Sequence, residues 1–154
     1  MDIKDIILPA QTFAGLHASD KAQLLQEIGH RAARALNLDT NVIIGPLLDR
    51  ERLGSTGVGA GIALPHARIG GLDRPFGLFA RLDRPIDFAS VDERPVDLVF
   101  LLLTPSKASS NEHLAALACV SRRLRQREVA DALRTASSAE ALYLAITGLG
   151  ARSP

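Results

Sequence analysis

Hydrophobic and polar positions follow two different periods along the chain, and each period predicts an element. Ile3 to Leu8 is a short apolar segment, and Thr12 to Leu16 reads as a short strand. Leu24, Ile28, Ala32 and Leu36 then recur at spacings of four, one face of an amphipathic helix. His30 lies about 200° around from Ile28, on the polar side. Asp20 supplies the cap of this helix, with Gln23 as its reciprocal partner. A second helix is predicted from Asp39 to about Leu53, closed by Gly54. Gly45-Pro46 inside it predicts a kink or a late start, because proline lacks the amide donor and clashes with the preceding turn.

After Gly54 the pattern changes to glycines and short apolar runs. Gly61 to Leu64, Phe76 to Leu82 and Val96 to Leu103 are predicted strands, separated by turn-forming Gly70-Gly71, Asp73-Arg74-Pro75 and Asp92-Glu93-Arg94-Pro95. Apart from Asp97 the last strand is apolar, as a central strand covered on both faces must be. The C-terminal third returns to helix. Ser109 with Glu112 and Ser137 with Glu140 read as capping boxes, and Leu114, Leu117, Ala118, Ser121 and Leu124 line one side of the first helix. Helices, then strands, then helices predict an α/β fold, a mixed sheet sandwiched by helices on both faces.

Composition narrows the function classes. The 154 residues, 47% hydrophobic and 23% charged, suit one domain over 1–154, with no internal repeat, low-complexity tract or dividing linker. Lys and Arg number 18 against 17 Asp and Glu, so a net charge of +1 gives no footprint for nucleic acid or an anionic membrane. The local cluster of Arg122, Arg123, Arg125 and Arg127 reads as a solvated helix face. A single cysteine, Cys119, precludes an internal disulfide and fits a reducing compartment as a small packing residue. Met1-Asp2-Ile3-Lys4-Asp5 lacks the features of a secretory signal. The longest strongly apolar run, Leu98 to Leu103, falls far short of the ~20 residues of a spanning helix. A cytoplasmic protein with no direct membrane insertion is expected.

The densest unusual stretch is Gly54-Ser55-Thr56-Gly57-Val58-Gly59-Ala60-Gly61-Ile62-Ala63-Leu64-Pro65-His66. Glycine-rich backbone beside hydroxyls can cradle phosphate through amide groups. The nucleotide loops do not fit: there is no lysine for a P-loop, and isoleucine stands where a dinucleotide fingerprint needs its third glycine. The four histidines show no His-Glu-x-x-His or Cys-x-x-Cys spacing, so no metal is expected. His66, after an apolar strand and Pro65, is placed to be presented, and at a reference pKa near 6.5 roughly three quarters of such imidazoles are neutral and nucleophilic at pH 7. Phosphorylation there adds a doubly charged group, which an arginine in contact could offset by up to about 4 kcal/mol before desolvation. Spacing alone equally allows a histidine that merely caps a strand.

Arg50-Glu51-Arg52-Leu53-Gly54-Ser55-Thr56-Gly57-Val58-Gly59, followed by Gly61-Ile62-Ala63-Leu64-Pro65-His66, resembles the enzyme IIA domains of the fructose/mannitol class, and most closely their nitrogen-regulatory branch. Pro95 to Phe100 and His113-Leu114 follow in family-like order, so the resemblance covers nearly the whole chain. It implies the mannitol-type enzyme IIA fold and a phosphotransferase activity without cofactor. His66 would accept the phosphoryl group from an HPr-like phosphocarrier protein, Arg50 would steady it, and His113 would be the supporting second histidine. Ser55 and Thr56 would supply phosphate contacts. Without the resemblance, His113 reads as a packing histidine on a face with Leu117, Val120 and Leu124.

Two residues depart from the family pattern: Ala67 follows the histidine where glycine is usual, and Arg68 stands where lysine is common. Neither removes a reacting group. The partners implied are the carrier as donor and, downstream, either regulatory target proteins or an enzyme IIB in sugar uptake. The chain carries no enzyme IIB segment, which favours regulation. A third reading, a binding module that has lost its chemistry, is opposed by Arg50, His66 and His113 all being present.

Overall fold

The computed structural model describes residues 1–148, so the expected domain over 1–154 ends in six residues outside the described ones. Six strands form one sheet: β1 (Thr12–Leu16), β2 (Gly57–Gly59), β3 (Ile62–Ala63), β4 (His66–Ile69), β5 (Phe76–Ile86) and β6 (Val96–Pro105). Their order is β1-β5-β6-β3-β2, with β4 also on β6. The sheet is mixed: β1–β5, β3–β6 and β4–β6 are parallel, while β5–β6 and β2–β3 are antiparallel. The helices are α1 (Lys21–Leu36), α2 (Thr40–Arg52), α3 (Ser110–Leu124), α4 (Arg127–Thr135) and α5 (Ala139–Thr147).

Strand alternation sorts the core into two layers. Val99, Leu101 and Leu103 of β6 pack with Ala63, Ala67 and Ile69 against α1 and α2. Leu98, Phe100 and Leu102 pack with Ile62 and Leu64 against α3, α4, α5 and the N-terminal Ile3, Ile6 and Ile7. Every residue from Leu98 to Leu103 is fully buried, which is why this run carries no polar alternation. Each such side chain contributes about 1.5–3 kcal/mol, so β6 is the spine on which everything else is registered.

Several local expectations shift. Asp20 caps α1 by accepting from the Gln23 amide, but the Gln23 side chain takes the Ser19 amide instead of returning to Asp20. Helix α2 starts at Thr40, so Pro46 sits inside it without delaying its start. The proline removes one bond, and the burial of Ile43, Ile44 and Leu47 outweighs that loss. The cap of α5 is Ser138, one residue beyond the expected Ser137, because its hydroxyl is the one that accepts from Ala141. Helix α4 was not anticipated. Its Arg134 pairs with Asp97 at 2.9 Å and donates to Ala60 O at 2.7 Å, pinning the tip of the β2–β3 hairpin. Arg123, read as part of a solvated face, donates instead to the Ile146 and Ala145 carbonyls at the end of α5. Cys119 is half-buried against the α3–α5 core layer, as a packing residue should be.

This topology exposes one place in particular. Strands β3 and β4 run in tandem along the same edge of β6, interrupted by Leu64-Pro65. Beyond the interruption, β4 pairs with β6 only among the described residues, which place no strand on its other edge. His66 is the first residue of that edge strand.

Candidate functional site

His66 begins β4 and does not end a strand as its sequence suggested, and its ring is half-buried. Pro65 turns the chain so that His66 Nδ1 meets the Leu64 carbonyl at 2.8 Å. That carbonyl can only accept, so Nδ1 carries the proton. Arg50, in the last turn of α2, donates from Nε to His66 Nε2 at 3.2 Å, and from Nη1 to Gly54 O at 2.9 Å. A guanidinium has no lone pair, so Nε2 must hold one. Two independent contacts thus assign the same tautomer, with the proton on Nδ1 and the lone pair on Nε2 facing the Arg50 guanidinium.

Electrostatics agrees with this assignment. Burial pushes the His66 imidazole below the ordinary value of 6.5, and the Arg50 cation adds to that; the Leu64 hydrogen bond and the Glu51 carboxylate pull the other way. The balance leaves a neutral ring at pH 7.

His113 stands on α3 with its ring centroid 5.6 Å from that of His66. Its Nδ1 shares a 2.6 Å hydrogen bond with Thr104 Oγ1 of β6. Thr104 is only 1% exposed, and its hydroxyl makes no other hydrogen bond among the described residues. A buried hydroxyl must place its proton somewhere, so Thr104 donates to Nδ1 and the His113 proton sits on Nε2. Burial, then His66, then Arg68 lower the pKa of His113. One ring therefore offers a lone pair and the neighbouring ring an N–H.

The hydroxyls expected to contact phosphate are engaged within the protein. Ser55 Oγ donates to Phe88 O at 2.7 Å, and Thr56, 3% exposed, donates from Oγ1 to Glu51 Oε1 at 2.5 Å. The Thr56 amide donates to the other carboxylate oxygen of Glu51 at 2.9 Å. Glu51, its side chain only 7% exposed, pairs with Lys21 of α1 at 2.6 Å. Lys21 in turn lies over the Phe88 ring and donates to Phe88 O. Sequence reasoning passed over this group of Lys21, Glu51 and Phe88, since the three come from distant segments. The one available signal was a carboxylate flanked by two arginines at a helix end.

The glycine loop is tight for a packing reason. A Cβ on Gly57 would overlap Ser90 Oγ and lie 3.1 Å from its Cα. We expect Gly57→Ala to cost roughly 1–3 kcal/mol, as overpacking does, read as a lowered denaturation midpoint. Adding Ser90→Gly should recover part of that loss. Ala67, the departure from the family glycine, lies buried in β4 on the α1–α2 side and has no positive φ, so alanine is unstrained there. Among the described residues, no group of three or more His, Cys, Asp or Glu could hold a metal ion, and no helix is long and apolar enough to cross a membrane.

Residues 5–148 match the family described as phosphoenolpyruvate-dependent sugar phosphotransferase system, EIIA 2. A nitrogen regulatory protein of Bradyrhizobium diazoefficiens is 46% identical over 143 residues, covering 93% of each chain. The crystal structure of nitrogen regulatory protein IIA-Ntr from Neisseria meningitidis superposes with a TM-score of 0.86 at 33% identity, covering 94% of this chain and 99% of that one. The crystal structure of IIA mannitol from Escherichia coli, at 21% identity, shares the fold with a TM-score of 0.74 over 90% of this chain and 98% of that one. The mannitol-type architecture expected from the motifs is the one observed, and with the motif, the matched span and these relatives in agreement, the chain belongs to the EIIA 2 family of the phosphoenolpyruvate-dependent sugar phosphotransferase system.

Proposed function

We propose that this chain is a phosphohistidine carrier that accepts a phosphoryl group on His66 Nε2 from an HPr-like phosphocarrier and acts through regulatory protein partners in the cytoplasm. The observation that carries the reading is the pair of contacts at 2.8 and 3.2 Å that keep Nε2 unprotonated, its lone pair accepting from a guanidinium. The whole of 1–154 serves as one such unit in this reading. Likeness to nitrogen regulatory proteins supports the regulatory branch over sugar uptake.

In the transfer, the bond from phosphorus to the carrier breaks as the Nε2–P bond forms, and the carrier's leaving atom keeps the electron pair. Arg50 moves from the ring nitrogen to the phosphoryl oxygens, and His113 Nε2–H donates to them from the other side. Transfer of this loose kind is catalysed by position and positive charge. Ser55 and Thr56 act through the loop they hold; direct contact with phosphate would require either hydroxyl to leave its present acceptor. Incubating the chain with enzyme I, the carrier and phosphoenolpyruvate, then mapping the label by NMR, tests the scheme. Label at Nε2 of His66 is expected; label at another residue, or none, overturns it.

Arg50→Ala should slow acceptance by about 10²–10³-fold, the loss typical of one donor to developing charge. The pH profile supplies the sign check. Protonated Nε2 has no lone pair, so the rate falls only as pH drops through a midpoint below 6.5 and is flat around pH 7. Removing Arg50 takes away one of the effects that lower this midpoint, so the Arg50→Ala profile should move to higher pH.

A further inference from the structure

Strand β4 carries a second arginine whose placement has no part in the scheme above. Side chains two apart on a strand share a face, so Arg68 lies on the side of His66. Across the β4–β6 pair it is in register with Thr104, the residue that holds His113. Its guanidinium is tethered to the chain: Nη2 donates to Ser106 O at 3.3 Å and also to Ala108 O. Both carbonyls belong to the turn between the end of β6 and Ser109, the cap of α3. His113 sits in the first turn above that cap, its amide donating to Ser109 O at 3.1 Å. One side chain therefore connects the strand of the acceptor histidine to the turn that launches the helix of the supporting one.

We propose that Arg68 is a positioning residue for phosphoryl transfer: by tying the β6–α3 turn to β4 it holds the His113 ring in place beside His66. The inference rests on His66 being the acceptor. Arg68 also acts on the proton of His113. The groups that face the His113 ring are His66 and Arg68 from β4 and Thr104 from β6, and Arg68 is the permanent cation among them. A cation there disfavours a second proton on the ring, which preserves the Thr104 O–H to Nδ1 bond and the Nε2–H aimed at the phosphoryl oxygens. Lysine could supply the charge from this position, but its ammonium falls one bond short of the reach of Nη2, the nitrogen that donates to both carbonyls.

The test is histidine NMR titration of the full chain together with single-turnover labelling, on wild type, Arg68→Ala and Arg68→Lys. In Arg68→Ala the midpoint of His113 should rise, with circular dichroism reporting an intact fold. Labelling should slow by about 10–100-fold at saturating carrier, as misplacement of a supporting group does. Arg68→Lys should restore the His113 midpoint more fully than the rate. An unchanged His113 midpoint with an unchanged rate overturns the proposal. So does a loss confined to carrier affinity, which would make Arg68 a docking contact, or a fold already lost in Arg68→Lys. If wild type takes up no label, the acceptor reading fails by itself, and the titrations still decide whether Arg68 acts on His113.

Discussion

His66→Ala, incubated with enzyme I, the HPr-like carrier and phosphoenolpyruvate, is expected to take up no acid-labile phosphoryl label under conditions that label wild type fully. No neighbouring histidine can take over. His113 has its Nδ1 bound to a threonine 1% exposed, and its other nitrogen carries the proton. His17 is paired with Asp83 and His30 with Arg34, both through exposed contacts, whereas the Arg50–His66 bond is partly buried and stands beside the second ring of His113. The substitution removes two hydrogen bonds from a half-buried ring, a loss of about 1–3 kcal/mol. A folded, unlabelled protein is therefore the outcome to look for, with circular dichroism as the control. Full labelling of His66→Ala would remove the chemistry proposed for this chain, whatever its family.

The second large effect concerns stability. Glu51→Ala should destabilise the protein by about 3 kcal/mol, the lower part of the range for breaking a buried ion pair. The pair qualifies because the Glu51 side chain is 7% exposed; the lower figure applies because the Lys21 side chain, at 25%, keeps some contact with water. The change also strips Thr56 of two acceptors, its hydroxyl and amide both donating to this carboxylate. For a chain of this length that corresponds to roughly 6–12 °C in Tm. Glu51→Gln should lose less, since an amide oxygen still accepts from Thr56 while nothing balances Lys21. The double variant Lys21→Met/Glu51→Gln should lie closer to wild type than the sum of the single changes, because no unpaired charge is left behind. Additive losses would mean that the ion pair contributes nothing beyond its separate contacts. Labelling should slow in Glu51→Ala too, since the loop it holds ends at Gly54, whose carbonyl steadies Arg50.

What could be read without a structure was local. The four-residue spacing of Leu24, Ile28, Ala32 and Leu36, the Asp20 and Ser109 caps, and the unbroken apolar run of β6 each depend on residues close in the chain, so propensity and burial decide them almost alone. The same holds for the Gly54–His66 stretch, where the density of glycine beside a Pro-His step is itself the signal. Errors arose where a short-range rule met a long-range demand. Strands β2 and β4 are too short and glycine-rich or polar to show a period, and exist because β3 and β6 give them hydrogen-bond partners. Helix α4 begins in a row of arginines that resembles solvated surface until Val129, Ala130 and Leu133 find the core.

The chemistry divides along the same line. Which residues could react was written in the order of amino acids: an imidazole after proline, an arginine one helix earlier, a second histidine in a capped first turn. Which nitrogen holds the lone pair came only from folding, because a tautomer depends on partners. The Arg50 guanidinium, the Thr104 hydroxyl, the Glu51–Lys21 pair and the Arg68 tether act across gaps in the chain that β6 and its flanking helices close. A hydrogen bond falls away within a few tenths of an ångström, so groups far apart in sequence acquire these roles only when the packed sheet sets their distance.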